Sequence, residues 1–583
     1  MKSKILWAVL LAALGTACKK DFLTRLPLDQ MDDATYWTNE NNVRTFAYGF
    51  YPTYFPGYGR LFALEVYFFS GQPLNDDFAP TAPVSFTKTV PASATGTAWD
   101  FTNVRKANIM LERVRGMGVL DEATRNHWMG VARFFRAMAY FKLVKTYGDV
   151  QWYGKPLEVA DEQQLYKPRD SRTLVMDSML LDLQFAADNI RETDGEKGLN
   201  VTKWVALAFM SRIMLFEGTW QKYHQLSDAK SREYLEAAKW AANEVITKGG
   251  YSFSHNYRES FNSADLASNK EIILYRRYAP GMLTHSLMSY NNKEPQTGPN
   301  KNLIETYLCT DGLPIDLSPL YQGDRTIENV LANRDSRMLH TFNPELRPNG
   351  SRTRTNNLGI STTGYCTWKF LNDALREAPT GESNLNVSHA PVIRLGEVML
   401  NYAEAAAELG GLTQEDLDKS INKLRARTVG NPAPLPPLQV LGGEPAVNGA
   451  VYHDPKKDPD GKVTYMIWEI RRERRVEFTM EGTRFDDLRR WRKLDYMDTR
   501  VHTDLNRGAW IKRSEWLKPN PPGGSWLNNV TLEGPEEGYI IPSVSPLADR
   551  IYDNDKVYLE PIPQDQIKLF SDKKVTLSQN KGW

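Results

Sequence analysis

Between Glu122 and Tyr147 the chain places Trp128, Val131, Phe134, Phe135, Met138, Phe141 and Val144 at spacings that cover most of a helix circumference with apolar side chains. Such a helix cannot rest on one neighbour, so it demands partners on several sides. Arg133, Arg136, Lys142 and Lys145 are its polar exceptions, and Gly148-Asp149 supplies the stop. Comparable patterns recur at 101–115, 171–190, 202–216, 232–247, 392–409, 414–427 and 466–491. Taken in pairs they predict helix-turn-helix units stacked as a solenoid, each pair covering the face its neighbour exposes, although the tetratricopeptide consensus is not literally present. From 251 to 390 the periodicity dissolves into short strands and loops rich in Gly, Asn and Pro, and 431–460 and 518–546 read as long loops. The expected fold is mostly α. A tetratricopeptide-like scaffold at about 101–250 and 392–495 carries a large irregular insertion with short strands at about 251–390, and loops on a rigid scaffold are where binding resides.

The first residues have a different task. Lys2 and Lys4 precede a nearly uncharged run that ends in Gly15, Thr16 and Ala17 before Cys18, after which the chain turns polar with Lys19, Lys20 and Asp21. The run is shorter than the roughly 20 apolar residues that span a bilayer. Residues 1–17 therefore read as a lipoprotein signal peptide and Cys18 as the lipid-anchor residue, with Gly15 standing where such signals usually carry leucine. Acyl chains stabilise membrane attachment by about 0.8 kcal/mol per buried methylene. No later segment is apolar enough to span, so the rest of the chain is expected in water.

A chain of 583 residues exceeds what one core usually serves, which is about 250 to 300 residues. Its 72 basic and 71 acidic residues nearly cancel, leaving no footprint for nucleic acid. Most of the 15 Trp, 27 Tyr and 23 Phe must be core, but a surplus on the surface would suit a ligand with apolar ring faces such as a sugar. Cys309 and Cys366 are the other two cysteines; an exported location permits a disulfide between them, but two thiols alone do not establish proximity.

From 466 to 491 arginines alternate with acids. Glu469 with Arg472, and Arg474 with Glu477, fall at i,i+3, so the run predicts structural ion pairing between helices, because a phosphate or nucleic-acid cradle would leave arginines unopposed. Asp454, Asp458, Asp460 and Gly461 hint at a calcium loop, yet an EF-hand register with Gly461 sixth places Lys456 first and Ile467 twelfth, and neither supplies the oxygen. That segment reads as a surface turn. Asp76 and Asp77 offer half of a glycosidase carboxylate pair, with no second acid that sequence can place roughly 5 to 10 Å away. No HExxH, GxSxG, P-loop or paired CxxC occurs, and the eight histidines fall at no metal-ligand spacing, so no catalytic residue, metal site or cofactor is expected.

Five stretches together resemble the SusD/RagB family of outer-membrane nutrient-binding lipoproteins. They are CKKDFL from Cys18, RFFRAMAYFKLVKTYGDV from Arg133, VIRLGEVMLNYAEA from Val392, IRRERRVEFTMEGTRFDDLRRW from Ile470, and YLEPIP from Tyr558 with SQNKGW from Ser578. They stand in the family's order and span essentially the whole chain. The resemblance implies a SusD-like helical fold over 18–583, four tetratricopeptide-like pairs, display on the outer face of a Gram-negative outer membrane and no catalysis. It also implies a SusC-like TonB-dependent transporter as partner, on which the protein sits as a hinged lid.

Family motifs carry scaffold residues, whereas ligand contacts in relatives come from the loop before the first repeat and from the irregular insertion. Here those regions offer Asp76, Asp77, Phe78 and Phe86, then Tyr290, Asn291 and Asn292, with rings to stack on a pyranose and oxygens to accept hydroxyl protons. Each has a plainer reading as core filling or turn chemistry. No tryptophan lies between Trp37 and Trp99, which argues against a flat starch-type platform in the first loop. The expected function is non-catalytic oligosaccharide capture; a peptide ligand is the alternative within the family, and a glycoside hydrolase the alternative outside it.

Overall fold

The computed structural model describes residues 36–60, 63–64, 74–80, 85–293, 295–348, 360–427, 434–516, 530–542 and 550–583. Cys18 and the leader lie outside the described residues.

Five long helices run in succession: α1 (Thr102–Gly116), α2 (Glu122–Tyr147), α3 (Arg172–Asn189), α4 (Lys203–Tyr223) and α5 (Asp228–Lys248). Each packs on the next, α4 most closely against α5. Their starts are written locally: the side chains of Asp121, Ser171 and Ser227 accept from the backbone N–H of Thr124, Leu174 and Lys230. Gly148 ends α2 at φ +77, a left-handed conformation that suits glycine. Two further glycines set helix spacing. A Cβ on Gly218 of α4 would lie 2.7 Å from Leu235 Cγ of α5, and one on Gly130 of α2 would lie 2.8 Å from Ile190 Cγ1. The apolar circumference of α2 is covered as its sequence requires, with Phe134, Phe135, Tyr140 and Val144 all fully buried. Phe50 stacks on Phe135 at 4.6 Å between centroids, bringing the first described helix, Glu40–Tyr48 with the turn after it, onto the stack.

The irregular insertion follows, with only short elements. Strands β1 (Phe78–Ala79), β2 (Ile272–Arg276), β3 (Gly298–Pro299) and β4 (Ala390–Arg394) form two antiparallel ladders, β1 with β3 and β2 with β4. Among them lie a helix at Leu287–Lys293 and α6 (Lys301–Thr306). The chain then returns to helices: α7 (Leu395–Glu408), α8 (Gln414–Lys419), α9 (Ile421–Arg425), α10 (Tyr465–Glu477) and α11 (Arg484–Arg490). Helix α7 packs on both α4 and α5, and α10 packs on α7, so the second helical group continues the first stack.

Three boundaries differ from the sequence expectation. Residues 392–394 belong to β4 rather than to the following helix. The 414–427 helix breaks at Ser420, and the expected helix over 466–491 is two helices separated at 478–483, where Met480 and Gly482 adopt positive φ. The 431–460 loop also holds a three-stranded meander, β5 (Gln439–Leu441), β6 (Glu444–Val447) and β7 (Ala450–Val451). Cys309 and Cys366 are buried free thiols, so the disulfide permitted by export is not formed. No helix among the described residues is long and apolar enough to cross a membrane.

Candidate functional site

The arginine-rich run folds as expected in kind, though not in every pairing. Arg472 meets Glu469 at 2.9 Å, as the i,i+3 spacing predicts. Arg474 instead reaches Asp487 of α11 at 2.8 Å, because Glu477 is taken by three guanidinia from elsewhere: Arg394 at 2.7 Å, Arg337 at 3.0 Å and Arg427 at 3.2 Å. Arg425 of α9 holds both Glu469 and Glu473, and Arg490 holds Glu404 at 2.5 Å. Burial raises the carboxyl of Glu477, but Arg427, Arg394 and Arg337 outweigh it and hold the group far below the usual carboxylate range.

Asp76 and Asp77 join the same network. Arg484 donates to both oxygens of Asp76 at 2.7 Å, and Arg475 donates to Asp77 Oδ1 at 2.7 Å and to the Asp76 carbonyl at 2.9 Å. These bonds tie positions 408 and 398 residues apart. Both acids are buried, and two adjacent carboxylates bound to guanidinia are not the facing pair that a glycosidase requires. Burial raises the Asp76 carboxyl, yet Arg475 and Arg484 outweigh it and keep the group strongly acidic.

Two of the three aromatic residues expected from sequence, Phe78 and Phe86, are placed in the interior. Phe78 is 1% exposed and packs with Tyr58, Phe261 and Phe370, so its ring stacks on protein. Phe86 packs with Phe216, Trp220 and Tyr558. Asn291 is buried and donates to the Leu287 carbonyl, while Tyr290 beside it is half-buried. Both sit on the helix Leu287–Lys293, which also holds Asn292; the Asn292 side chain lies outside the description. Asp76 is the member of the set that reaches a cavity.

That cavity, of about 350 Å³, lies against one face of α10. Trp468, Arg471, Arg472 and Arg475 line it at i, i+3, i+4 and i+7, the stripe a helix presents to one side. Trp491 lines it at 1% exposure, together with half-buried Trp468, Tyr496 and His502. The rim comes from the segment read from sequence as a surface turn, through Asp454, Lys456, Asp458 and Pro459. Its acids are occupied by protein donors: Asp454 by Trp468 Nε1 at 2.8 Å and by Arg472, Asp458 by Lys493 at 2.8 Å and by the Tyr496 hydroxyl. Among the described residues no group of His, Cys, Asp and Glu could hold a metal ion.

Three polar side chains in the chamber stand apart. Asp495 is exposed and its carboxylate accepts from its own backbone N–H, while half-buried His502 stands edge-on to Tyr496 with 6.3 Å between ring centroids. None of the Arg471 guanidinium nitrogens makes a hydrogen bond. Its Cζ lies 4.3 Å and 4.8 Å from the ring centroids of Trp491 and Tyr223, and its ion-pair partner Glu408 is 3.5 Å away. A second cleft, of about 490 Å³, lies beside α4 and α11, walled by Phe141, Phe216 and Phe485, and its charges are already paired, as in Lys145 with Asp486 and Arg212 with Glu397. The first chamber therefore holds the uncommitted chemistry.

A stack of paired helices that carries a loop-lined chamber defines a helical repeat-scaffold protein in architecture. The model of the SusD family matches residues 288–583, and a model described as starch-binding associating with outer membrane matches 88–215. The chain belongs to the SusD family. It is 26% identical over 291 residues to a SusD-like protein of Bacteroides ovatus, and 24% identical over 271 residues to SusD-like protein P25 of Formosa agariphila. Those alignments cover 48% and 44% of this chain and only 50% and 48% of the relatives, so the chain spans about half the length of the curated relatives it matches. In structure it resembles a SusD-like carbohydrate-binding protein of Bacteroides fragilis, with a TM-score of 0.65 at 20% identity over 92% of this chain and 99% of the other. It also resembles a laminarin-binding SusD-like protein, with a TM-score of 0.53 at 17% identity over 94% and 100% of the two chains. At these identities the likeness concerns the fold.

Sequence reasoning missed Trp468, Arg471, Trp491, Tyr496, Asp495 and His502. One partial signal was present: Trp468, Arg471 and Arg475 share a helix face, and both arginines lack an acid at i±3 or i±4, although only the fold shows that Arg475 finds Asp77 while Arg471 makes no hydrogen bond.

Proposed function

We propose that this chain is a non-catalytic glycan receptor, and that the chamber against α10 holds a sugar unit of its ligand. The observation that carries the reading is the presence of half-buried Trp468 and Tyr496 with the exposed Asp495 carboxylate in one cavity. An indole or phenol face suits the C–H face of a pyranose, and a carboxylate accepts hydroxyl protons. Membership of the SusD family supports a carbohydrate ligand, since one structural relative is described as carbohydrate-binding and another as laminarin-binding. Asp76, clamped by two arginines, serves as wall.

On this reading residues 1–17 are removed and Cys18 carries the lipid that holds the protein on the outer face of the outer membrane, which agrees with the description of the family model over 88–215. The helical stack then faces a SusC-like TonB-dependent transporter, and the insertion with the α10 chamber faces ligand. Calorimetric titration of the purified full chain with a panel of oligosaccharides tests the receptor, and Trp468→Ala should weaken binding by about 1 to 3 kcal/mol. Unchanged affinity removes the chamber from the account. Release of reducing ends on prolonged incubation would replace a receptor with a hydrolase, and saturable binding of oligopeptides alone would favour the peptide alternative. The anchor is tested by the mass of the amino-terminal peptide, and the partner by copurification of a barrel from native outer membranes.

A further inference from the structure

We infer that the chamber against α10 selects an acidic sugar, a pyranose bearing a carboxylate or a sulfate ester, and that Arg471 is the residue that recognises the acid group; this rests on the sugar reading of the same chamber. Four neighbouring basic residues of the chamber are committed. Arg472 is bound to Asp454 and Glu469, Arg475 to Asp77, Arg484 to Asp76, and Lys456 to Glu305. Arg471 alone among them is 95% buried with no hydrogen bond from any guanidinium nitrogen. Its nearest acid, Glu408, is satisfied without it, through Lys222 Nζ at 2.7 Å and the Tyr223 hydroxyl at 2.8 Å.

A buried guanidinium whose five N–H donors make no hydrogen bond, with its ion-pair partner at 3.5 Å, is a costly arrangement unless a ligand supplies oxygens. Carboxylate and sulfate are the groups whose paired oxygens match its fork. The guanidinium rests over Trp491 and Tyr223 with its nitrogens covered, so capture draws the flexible side chain off the rings and into the cavity it lines. The rest of the chamber suits the remainder of such a sugar. Trp468 offers a ring face, and the exposed Asp495 carboxylate offers an acceptor for a sugar hydroxyl.

The test is calorimetry of the full chain with three probes: oligogalacturonate, the same oligosaccharide fully methyl-esterified, and a sulfated galactan oligosaccharide. At least one acidic probe should bind about ten- to a hundredfold more tightly than the ester, the ratio expected of a charge-assisted hydrogen bond. Whichever acidic probe binds identifies the group as uronate or sulfate. Arg471→Gln should erase that preference and Arg471→Lys should keep part of it, with thermal melts confirming that both variants fold. Binding should also change tryptophan emission in the wild type, as a cation leaves Trp491. Equal binding of acid and ester, retention of the preference in Arg471→Gln, or no saturable binding of any probe at millimolar concentration overturns the inference. The sugar reading fails separately: Trp468→Ala that weakens neither neutral nor acidic probes removes the chamber as a glycan site, whereas equal binding of acid and ester that is lost in Trp468→Ala refutes only the acid recognition.

Discussion

The stack α1–α5 and the zone around α7, α10 and α11 are both helical and both buried, yet apolar packing dominates the first, which holds the buried pairs Arg136–Asp182 and Arg172–Glu217, and ion pairing dominates the second. In the first, Phe134, Phe135, Leu207, Ile213 and their neighbours exclude water, a non-directional attraction that tolerates small shifts and ignores pH. In the second, Glu404, Glu469, Glu473 and Glu477 lie buried against Arg337, Arg394, Arg425 and Arg490, where each contact fixes an orientation as well as a distance. Buried ion pairs are weak sources of net stability but strong sources of loss when one partner is removed. The difference teaches that the first region supplies a body, while the second sets the attitude of a face that must present loops and side chains in one arrangement.

That contrast can be broken at its strongest point. Glu477→Gln leaves three buried guanidinia short of a countercharge, and denaturant unfolding should show a loss of about 3 to 5 kcal/mol. A loss below about 1 kcal/mol would mean that Glu271, Glu473 and Glu481 take over, and the network would be redundant. Phe135→Ala in the apolar stack should cost about 3 kcal/mol or more through the cavity it leaves, by a similar amount at pH 7 and pH 4.

Acid should separate the two regions further. Glu404 is raised by burial but lowered more by Arg490 and its neighbours, to about 2, and Glu477 is also depressed. The unfolded chain protonates its glutamates near pH 4.3 while these folded ones remain charged. Their contribution is therefore complete above that pH and lost as pH falls toward 2. Hydrogen exchange at pH 3 should open α7 and α10 ahead of α4 and α5, and uniform opening would contradict the assignment. The smallest effect is local: Ser171→Ala removes the N-cap of α3 and should cost about 1 kcal/mol, detected as a modest fall in Tm.

The apolar stack was the more legible region. The bounds of α2 follow from its own residues, because an all-round apolar helix, an Asp121 cap and a Gly148 stop are local statements. The charged region was legible in kind but not in detail. That Arg474 would leave Glu477 for Asp487 depends on Arg337, Arg394 and Arg427 arriving from distant segments, and no spacing rule along α10 encodes their approach. Phe78 and Phe86 misled for a related reason: an aromatic in a loop before the first repeat looks available until distant segments close over it, the insertion over Phe78 and α4 with the 488–497 and 558 segments over Phe86. Trp468 and Arg471 were visible as one helix face. Their meaning required the 454–461 turn and Trp491 to enclose the space beside them.

The clamp of Asp76 and Asp77 by Arg484 and Arg475 has a kinetic consequence. Closing a loop of about 400 residues adds little to the equilibrium cost, since that cost grows only with the logarithm of length, but contacts so remote in sequence delay the search for them. Helices α1 to α5 can assemble from near neighbours while this closure is still pending. The segment that carries Asp76 must then wait for α10 and α11, so a newly made molecule acquires its trunk early and the α10 face late.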